Sequence, residues 1–188
     1  MLALQGAFRE HREVLDALGV DAVEVRTPEQ LSGIDALFLP GGESTTITKL
    51  LHSSGLVEPL RAALADGLPV FGTCAGLIVL ASDQRDQHGA VDEPLFGVLD
   101  VTVLRNGYGT QLDSFEAPLR IRGIEGTFPG VFIRAPVVES VAQGVEVLAT
   151  HDGAPVLVRQ GRAWAATFHP ELSGDLRLHQ RFLQEAIS

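Results

Sequence analysis

Two short runs constrain the fold of this chain more than any other feature. Ala36-Leu37-Phe38-Leu39 and Pro69-Val70-Phe71 are apolar throughout, and each ends in a glycine-bearing turn that leads into a helical stretch. A strand apolar on both sides has to be covered on both faces, as central strands of parallel sheets are. Parallel neighbours need crossovers, and right-handed crossovers place helices on both faces. The expected fold is α/β, a doubly wound three-layer sandwich with a mainly parallel central sheet.

The remaining elements fit around that sheet. Phe8, His11, Val14, Leu15 and Leu18 follow helical spacing up to Gly19, and further helices are expected at 45–51, 57–65, 77–81 and 175–186. Thr27-Pro28-Glu29-Gln30 has the form of a capped first turn. Residues 20–26 read as a strand and 82–94 as a polar surface loop, with no functional account of 83–93. From 96 to 168 short β-rich runs (98–104, 119–121, 131–133, 145–148, 156–158, 164–168) alternate with Gly, Pro and Asp. These predict added strands, several antiparallel, joined to the sheet or laid beside it. No repeat or linker divides the chain, so residues 1–188 are expected to form one domain.

Charge and cysteine content exclude several classes of function. The net charge is -10, with no dense Lys/Arg run, which disfavours nucleic acid and anionic membranes as partners. No apolar run approaches the roughly 18 residues that a bilayer requires, and Met1 to Gly6 carry no signal pattern. Cys74 is the single cysteine, so neither an intramolecular disulfide nor a Cys-rich zinc cluster can form. A lone thiol suits a reducing compartment, and a cytoplasmic protein is expected.

That thiol sits in Gly72-Thr73-Cys74-Ala75-Gly76, between a buried strand and an apolar helix, the context of a nucleophile elbow. Side chains two before and two after the nucleophile would collide in so sharp a turn. The elbow lifts the sulfur to the carboxyl end of a strand and to a helix N-terminus, which favours thiolate. A free cysteine is more often a small buried residue; the glycines and the strand-to-helix position turn that balance.

A cysteine nucleophile needs a base and a group that orients the base. His169-Pro170-Glu171 follows the run Ala165-Ala166-Thr167-Phe168, and residues i and i+2 of an extended chain share a side. Glu171 can then accept the Nδ1 proton of His169 and leave Nε2 facing the sulfur. By itself the tripeptide is more often a turn histidine beside a solvated acid. His11, His52, His88, His151 and His179 have weaker cases, since none stands at a strand end with an acid two residues on. Pro40-Gly41-Gly42-Glu43-Ser44 ends another buried strand, where glycine lets an N–H approach a ligand. Acyl transfer requires two oxyanion donors, expected here from Gly42 and Ala75. A phosphate loop is disfavoured because no Gly-Lys-Ser/Thr follows and Glu43 would repel an anion.

These three motifs, in this order, resemble those of the triad-type (class I) glutamine amidotransferases. Longer stretches are similar to the glutaminase subunits of pyridoxal 5'-phosphate synthases over nearly the whole chain. They are Leu4-Gln5-Gly6, Leu39-Pro40-Gly41-Gly42-Glu43-Ser44-Thr45-Thr46, Phe71 to Ile78, Asp113-Ser114-Phe115-Glu116, Gly130 to Pro136 and Phe168 to Leu172. The resemblance implies hydrolysis of L-glutamine to glutamate and ammonia without cofactor or metal, with Cys74, His169 and Glu171 as catalytic residues. It implies that Gly42, Glu43, Ser44, Arg105, Ile133 and Arg134 hold glutamine, and that Gln5 lies on the partner side of the site. It further implies a barrel-type synthase subunit as partner in a large hetero-oligomer, which receives the ammonia and activates the glutaminase on docking. The chain departs from these relatives at Asn106-Gly107-Tyr108-Gly109 and in a short first apolar run. Two other readings stand beside this one: a glutaminase serving histidine or purine synthesis, and a non-catalytic or redox-sensing module that uses Cys74 as a reactive thiol.

Overall fold

The computed structural model describes residues 1–86, 89–90, 94–105 and 114–187. In chain order the elements are α1 (Phe8–Ala17), β1 (Leu37–Leu39), α2 (Ser44–Ser53), α3 (Val57–Ala65), β2 (Val70–Thr73), α4 (Ala75–Leu80), β3 (Ala81–Asp86), β4 (Gly89–Ala90) and β5 (Leu99–Leu104). They continue with β6 (Ser114–Leu119), β7 (Phe128–Ile133), β8 (Val137–Val141), β9 (Glu146–His151), β10 (Ala154–Gln160), β11 (Ala163–Ala166) and α5 (Arg177–Ala186).

The central sheet has the order β1-β2-β11-β10-β9. Its β1, β2 and β11 are parallel neighbours, while β10 and β9 run antiparallel as added strands. Alternate side chains leave on opposite faces, and each face has its own core. Leu37, Leu39, Val70, Ala163 and Ala165 join one cluster with Ile47, Leu51, Leu60 and Leu77 from the helices α2, α3 and α4. Phe38, Phe71, Trp164 and Ala166 join the other with Leu15 of α1 and Leu178 and Phe182 of α5. Continuous apolarity in β1 and β2 is thus the signature of a sheet buried twice.

Two smaller sheets lie beside it: β4-β3-β5-β8, and the ribbon β6-β7. The expected strand at 20–26 shrinks to one parallel bridge, Leu2 to Val25. Val25 alone in that stretch is fully buried, Val20 and Ala22 pack only partly against the core, and Val23 faces solvent, so no regular alternation runs through it. The expected loop at 82–94 is instead β3 at its start, parallel to β5. A register shift between Ala81 and Asp83 breaks the two-residue alternation that would have revealed a strand; residues 87–88 and 91–93 lie outside the described residues. Of the expected run at 119–121 only Leu119 lies in a strand, as the last residue of β6, whose Pro118 faces Pro129, a pairing that a two-stranded ribbon tolerates. Strand β8 matches none of the expected runs. The tetrapeptide at 106–109 and Asp113 lie outside the described residues.

Candidate active site

Cys74 stands between β2 and α4 with φ 49° and ψ -102°, a left-handed conformation unusual for a side chain with a Cβ. The flanking glycines permit it. A Cβ on Gly72 would lie 2.6 Å from the backbone of Gly76, and one on Gly76 would lie 2.1 Å from the Leu39 carbonyl oxygen. The Cys74 N–H donates to the Ala166 carbonyl at 2.8 Å, so β11 anchors the turn. The sharp strand-to-helix turn expected from the sequence is present.

His169 follows β11, and its N–H donates to the Val131 carbonyl at 2.8 Å. Its Nδ1 lies 2.7 Å from Glu171 Oε1. The alignment comes from a single 3₁₀ turn over Pro170–Leu172 and not from extended chain, which corrects the geometric reason but keeps the pair. Gly41 packs between imidazole and thiol: a Cβ there would meet His169 Cε1 at 2.3 Å and Cys74 Cβ at 3.2 Å. Burial works against a charged His169 ring, but hydrogen bonds to Cys74 and Glu171, with their charges, outweigh it and raise its pKa to about 10. Burial likewise opposes ionised Glu171, yet His11 and His169 hold its pKa below the usual carboxylate value. The ring can therefore carry a proton between a sulfur and a carboxylate.

The loop after β1 is held at several points. The Gly41 N–H donates to Thr73 Oγ1 at 3.0 Å, the Glu43 N–H donates to Gln5 Oε1 at 2.9 Å, and the Gly41 carbonyl accepts from Ala7 N–H at 2.9 Å. Gly42 is left as the loop's N–H without a protein acceptor among the described residues. Ala75 opens α4, where an N–H has no intrahelical partner.

An open cleft of about 420 Å³ lies over Cys74 and His169, and Glu43, Ser44, Arg105, Ile133 and Arg134 all line it. The Ile133 carbonyl oxygen is 4.0 Å from Cys74 Sγ, and Arg134 beside it takes the left-handed φ of 45°. Arg105 donates to Thr45 Oγ1 at 2.8 Å. The Glu43 carboxylate caps α2, accepting from Thr46 Oγ1 and from the N–H groups of Thr45 and Thr46, and these bonds lower its pKa.

Sequence reasoning missed the groups beneath the triad. His11 and His179, each fully buried, contact one another at 3.0 Å, and His11 Nε2 reaches Thr73 Oγ1 at 3.2 Å and Glu171 Oε2 at 3.5 Å. The one available signal was a histidine on the apolar face of each of two helices. His52 is exposed on α2, His151 packs near Phe132 at the end of β9, and His88 lies outside the described residues.

The sequence profile described as "SNO glutamine amidotransferase family" matches residues 1–188. A relative from Pelotomaculum thermopropionicum is 54% identical over 188 residues, covering 100% of this chain and 94% of the relative. Another, from Thermus thermophilus, is 53% identical, with 99% and 96% covered. A third, from Dehalococcoides mccartyi, is 52% identical, with 99% and 95% covered. All three bear the name pyridoxal 5'-phosphate synthase subunit PdxT. A crystal structure described as a glutamine amidotransferase superposes with a TM-score of 0.91 at 51% identity, covering 98% of this chain and 96% of the other. The PurLQS complex of Thermotoga maritima contains a chain with a TM-score of 0.75 at 15% identity (98% and 95% covered), a likeness of fold alone.

Proposed function

The chain belongs to the SNO glutamine amidotransferase family, and from that premise we propose that it is the glutaminase of a pyridoxal 5'-phosphate synthase, with Cys74, His169 and Glu171 as its triad. The observation that carries this reading is that Cys74 and His169 line one cleft, with Glu171 Oε1 2.7 Å from His169 Nδ1. The family match over residues 1–188 supports treating the whole chain as one glutaminase domain.

In this mechanism Cys74 Sγ attacks the side-chain amide carbon of glutamine, forming the C–S bond and an oxyanion. The N–H groups of Gly42 and Ala75 receive that charge. Collapse breaks the C–N bond, and the protonated His169 ring gives its proton to the departing ammonia. Glu171 keeps the ring oriented and compensates its charge. Neutral His169 then takes a proton from water, the hydroxide attacks the thioester, and glutamate leaves with the thiolate–imidazolium pair restored. Arg105 and Arg134 supply guanidinium groups suited to the substrate's α-carboxylate, with Ser44, Glu43 and the Ile133 backbone completing the cleft.

The names of relatives at 52–54% identity support a synthase subunit as the receiver of ammonia. We take that partner to be a barrel-type synthase in a hetero-oligomer that docks over Gln5 and the Gly41-Gly42 loop. No helix among the described residues is long and apolar enough to cross a membrane; the single thiol favours the cytoplasm. The deciding assay follows glutamate release from glutamine with and without a synthase subunit. Cys74→Ala should lose at least a thousandfold in kcat, because removal of a triad nucleophile costs several orders of magnitude. Survival of the activity in Cys74→Ala overturns the mechanism.

A further inference from the structure

Behind Glu171 lies a chain of buried polar groups that the triad itself does not include. His11, from α1, has no exposed surface; its Nδ1 lies 3.0 Å from Nε2 of His179, from α5. Its other nitrogen, Nε2, lies 3.2 Å from Thr73 Oγ1 and 3.5 Å from Glu171 Oε2. Neither that carboxylate oxygen nor His179 Nδ1 has a hydrogen-bond partner among the described residues, so the 3.5 Å approach of His11 is a charge contact and not a full hydrogen bond.

The proton arrangement follows from elimination. Burial lowers the pKa of both rings, that of His179 to about 3, while the Glu171 carboxylate pulls both the other way; taken as neutral rings, each carries one proton. If His11 were protonated on Nδ1, its Nε2 lone pair would face a carboxylate oxygen. His179 would then bear its proton on Nδ1, an N–H buried without an acceptor, which is among the most costly orphans a core can hold. The opposite tautomers remove both faults. His179 Nε2–H donates to His11 Nδ1, and His11 Nε2–H is directed at Thr73 Oγ1 and Glu171 Oε2. What is left over is a bare lone pair on His179 and the hydroxyl proton of Thr73, whose oxygen then accepts from both Gly41 N–H and His11 Nε2–H.

We propose that His11 is a positioning residue of the active site, holding the second oxygen of Glu171 so that the first stays aimed at His169, with His179 selecting the tautomer that makes this possible. The same imidazole also meets Thr73, whose hydroxyl accepts the Gly41 N–H. One ring thereby ties the orienting acid to the loop that would supply an oxyanion donor. Two helices distant in sequence, α1 and α5, converge on a single function: fixing a carboxylate that neither of them carries. This inference rests on the glutaminase reading and extends it inward from the cleft.

The test compares wild type, His11→Gln, His11→Leu and His179→Phe in the glutaminase assay with the synthase subunit present. Activity is expressed per active site, counted by stoichiometric labelling of Cys74 with a diazo-ketone analogue of glutamine, which removes any misfolded fraction. His11→Leu should lower kcat at least tenfold with KM within twofold. His11→Gln, whose amide nitrogen can stand where Nε2 stood, should return kcat to within about threefold of wild type. His179→Phe touches no triad member, yet it should lower kcat severalfold through loss of the tautomer; it also decides the matter if His11→Leu does not fold. A filler role alone would change stability and leave kcat per labelled site untouched. Unchanged kcat in His11→Leu or His179→Phe, or a His11→Gln variant as impaired as His11→Leu, overturns the inference and leaves the glutaminase reading intact. A wild type that releases no glutamate overturns both.

Discussion

Replacing Gly41 by alanine tests the site with a single methyl group. Gly41 does not use a left-handed φ, so the substitution introduces no backbone strain of its own. The new Cβ would lie 2.3 Å from His169 Cε1 and 3.0 Å from Nδ1, where ordinary contact begins near 3.4 Å. The loop has little freedom to retreat, since the Gly41 N–H is bonded to Thr73 and its carbonyl to Ala7. The imidazole must give way instead, by about 1 Å, against its 2.7 Å bond to Glu171. Misplacement of a reacting group on that scale costs about 100-fold in rate. Steady-state glutamate release with the synthase subunit present should show kcat down by about that factor with KM nearly unchanged, while thermal unfolding confirms a folded protein. A folded Gly41→Ala variant with kcat within threefold of wild type would refute the assignment of His169 as the proton carrier.

Three more expectations concern the same framework. Because the folded pKa of His169, about 10, exceeds its ordinary value of 6.5, its ionic contribution is fully present below pH 6.5 and is lost as pH rises toward 10. The stability difference between wild type and His169→Gln, from urea unfolding at stepped pH, should therefore shrink by a few kcal/mol over that interval; a constant difference contradicts the shift. Thr73→Val leaves the buried Gly41 N–H without its acceptor and removes a partner of His11, so it should destabilise by about 1–3 kcal/mol in the same experiment. Gly76→Ala drives a methyl group to 2.1 Å from the Leu39 carbonyl oxygen, backbone against backbone, and should cost about 3 kcal/mol or prevent folding; an unchanged melting temperature would contradict the elbow geometry.

What the sequence disclosed follows from how local each signal is. β1 and β2 were legible because being covered twice makes a strand apolar throughout. The elbow was legible because two glycines at fixed spacing have a steric cause within five residues. β3 was not, since a bulge near Ser82 erased its alternation and its residues are mostly polar. β8 lay hidden in a five-residue run, Val137–Val141, that reads equally well as turn or strand. His11 and His179 lie on expected helices, with no strand end and no acid two residues on to mark either of them. Their role depends on α1 and α5 meeting beneath the end of β2, a tertiary fact with no counterpart in spacing. The relation of His169 to Glu171 was expected for the wrong local reason, and a 3₁₀ turn delivered what alternation was meant to supply.

The residues that would do the chemistry hang from the ends of three strands, β1, β2 and β11, that are adjacent, parallel and sealed on both sides. Amides in such a place exchange with solvent only through near-global opening, whereas those on the cleft margin around Glu43 and Arg134 exchange through small local excursions. Under the proposed docking, a subunit that reshapes this margin does so at little energetic risk, because the foundation that sets sulfur against nitrogen belongs to the most durable part of the molecule.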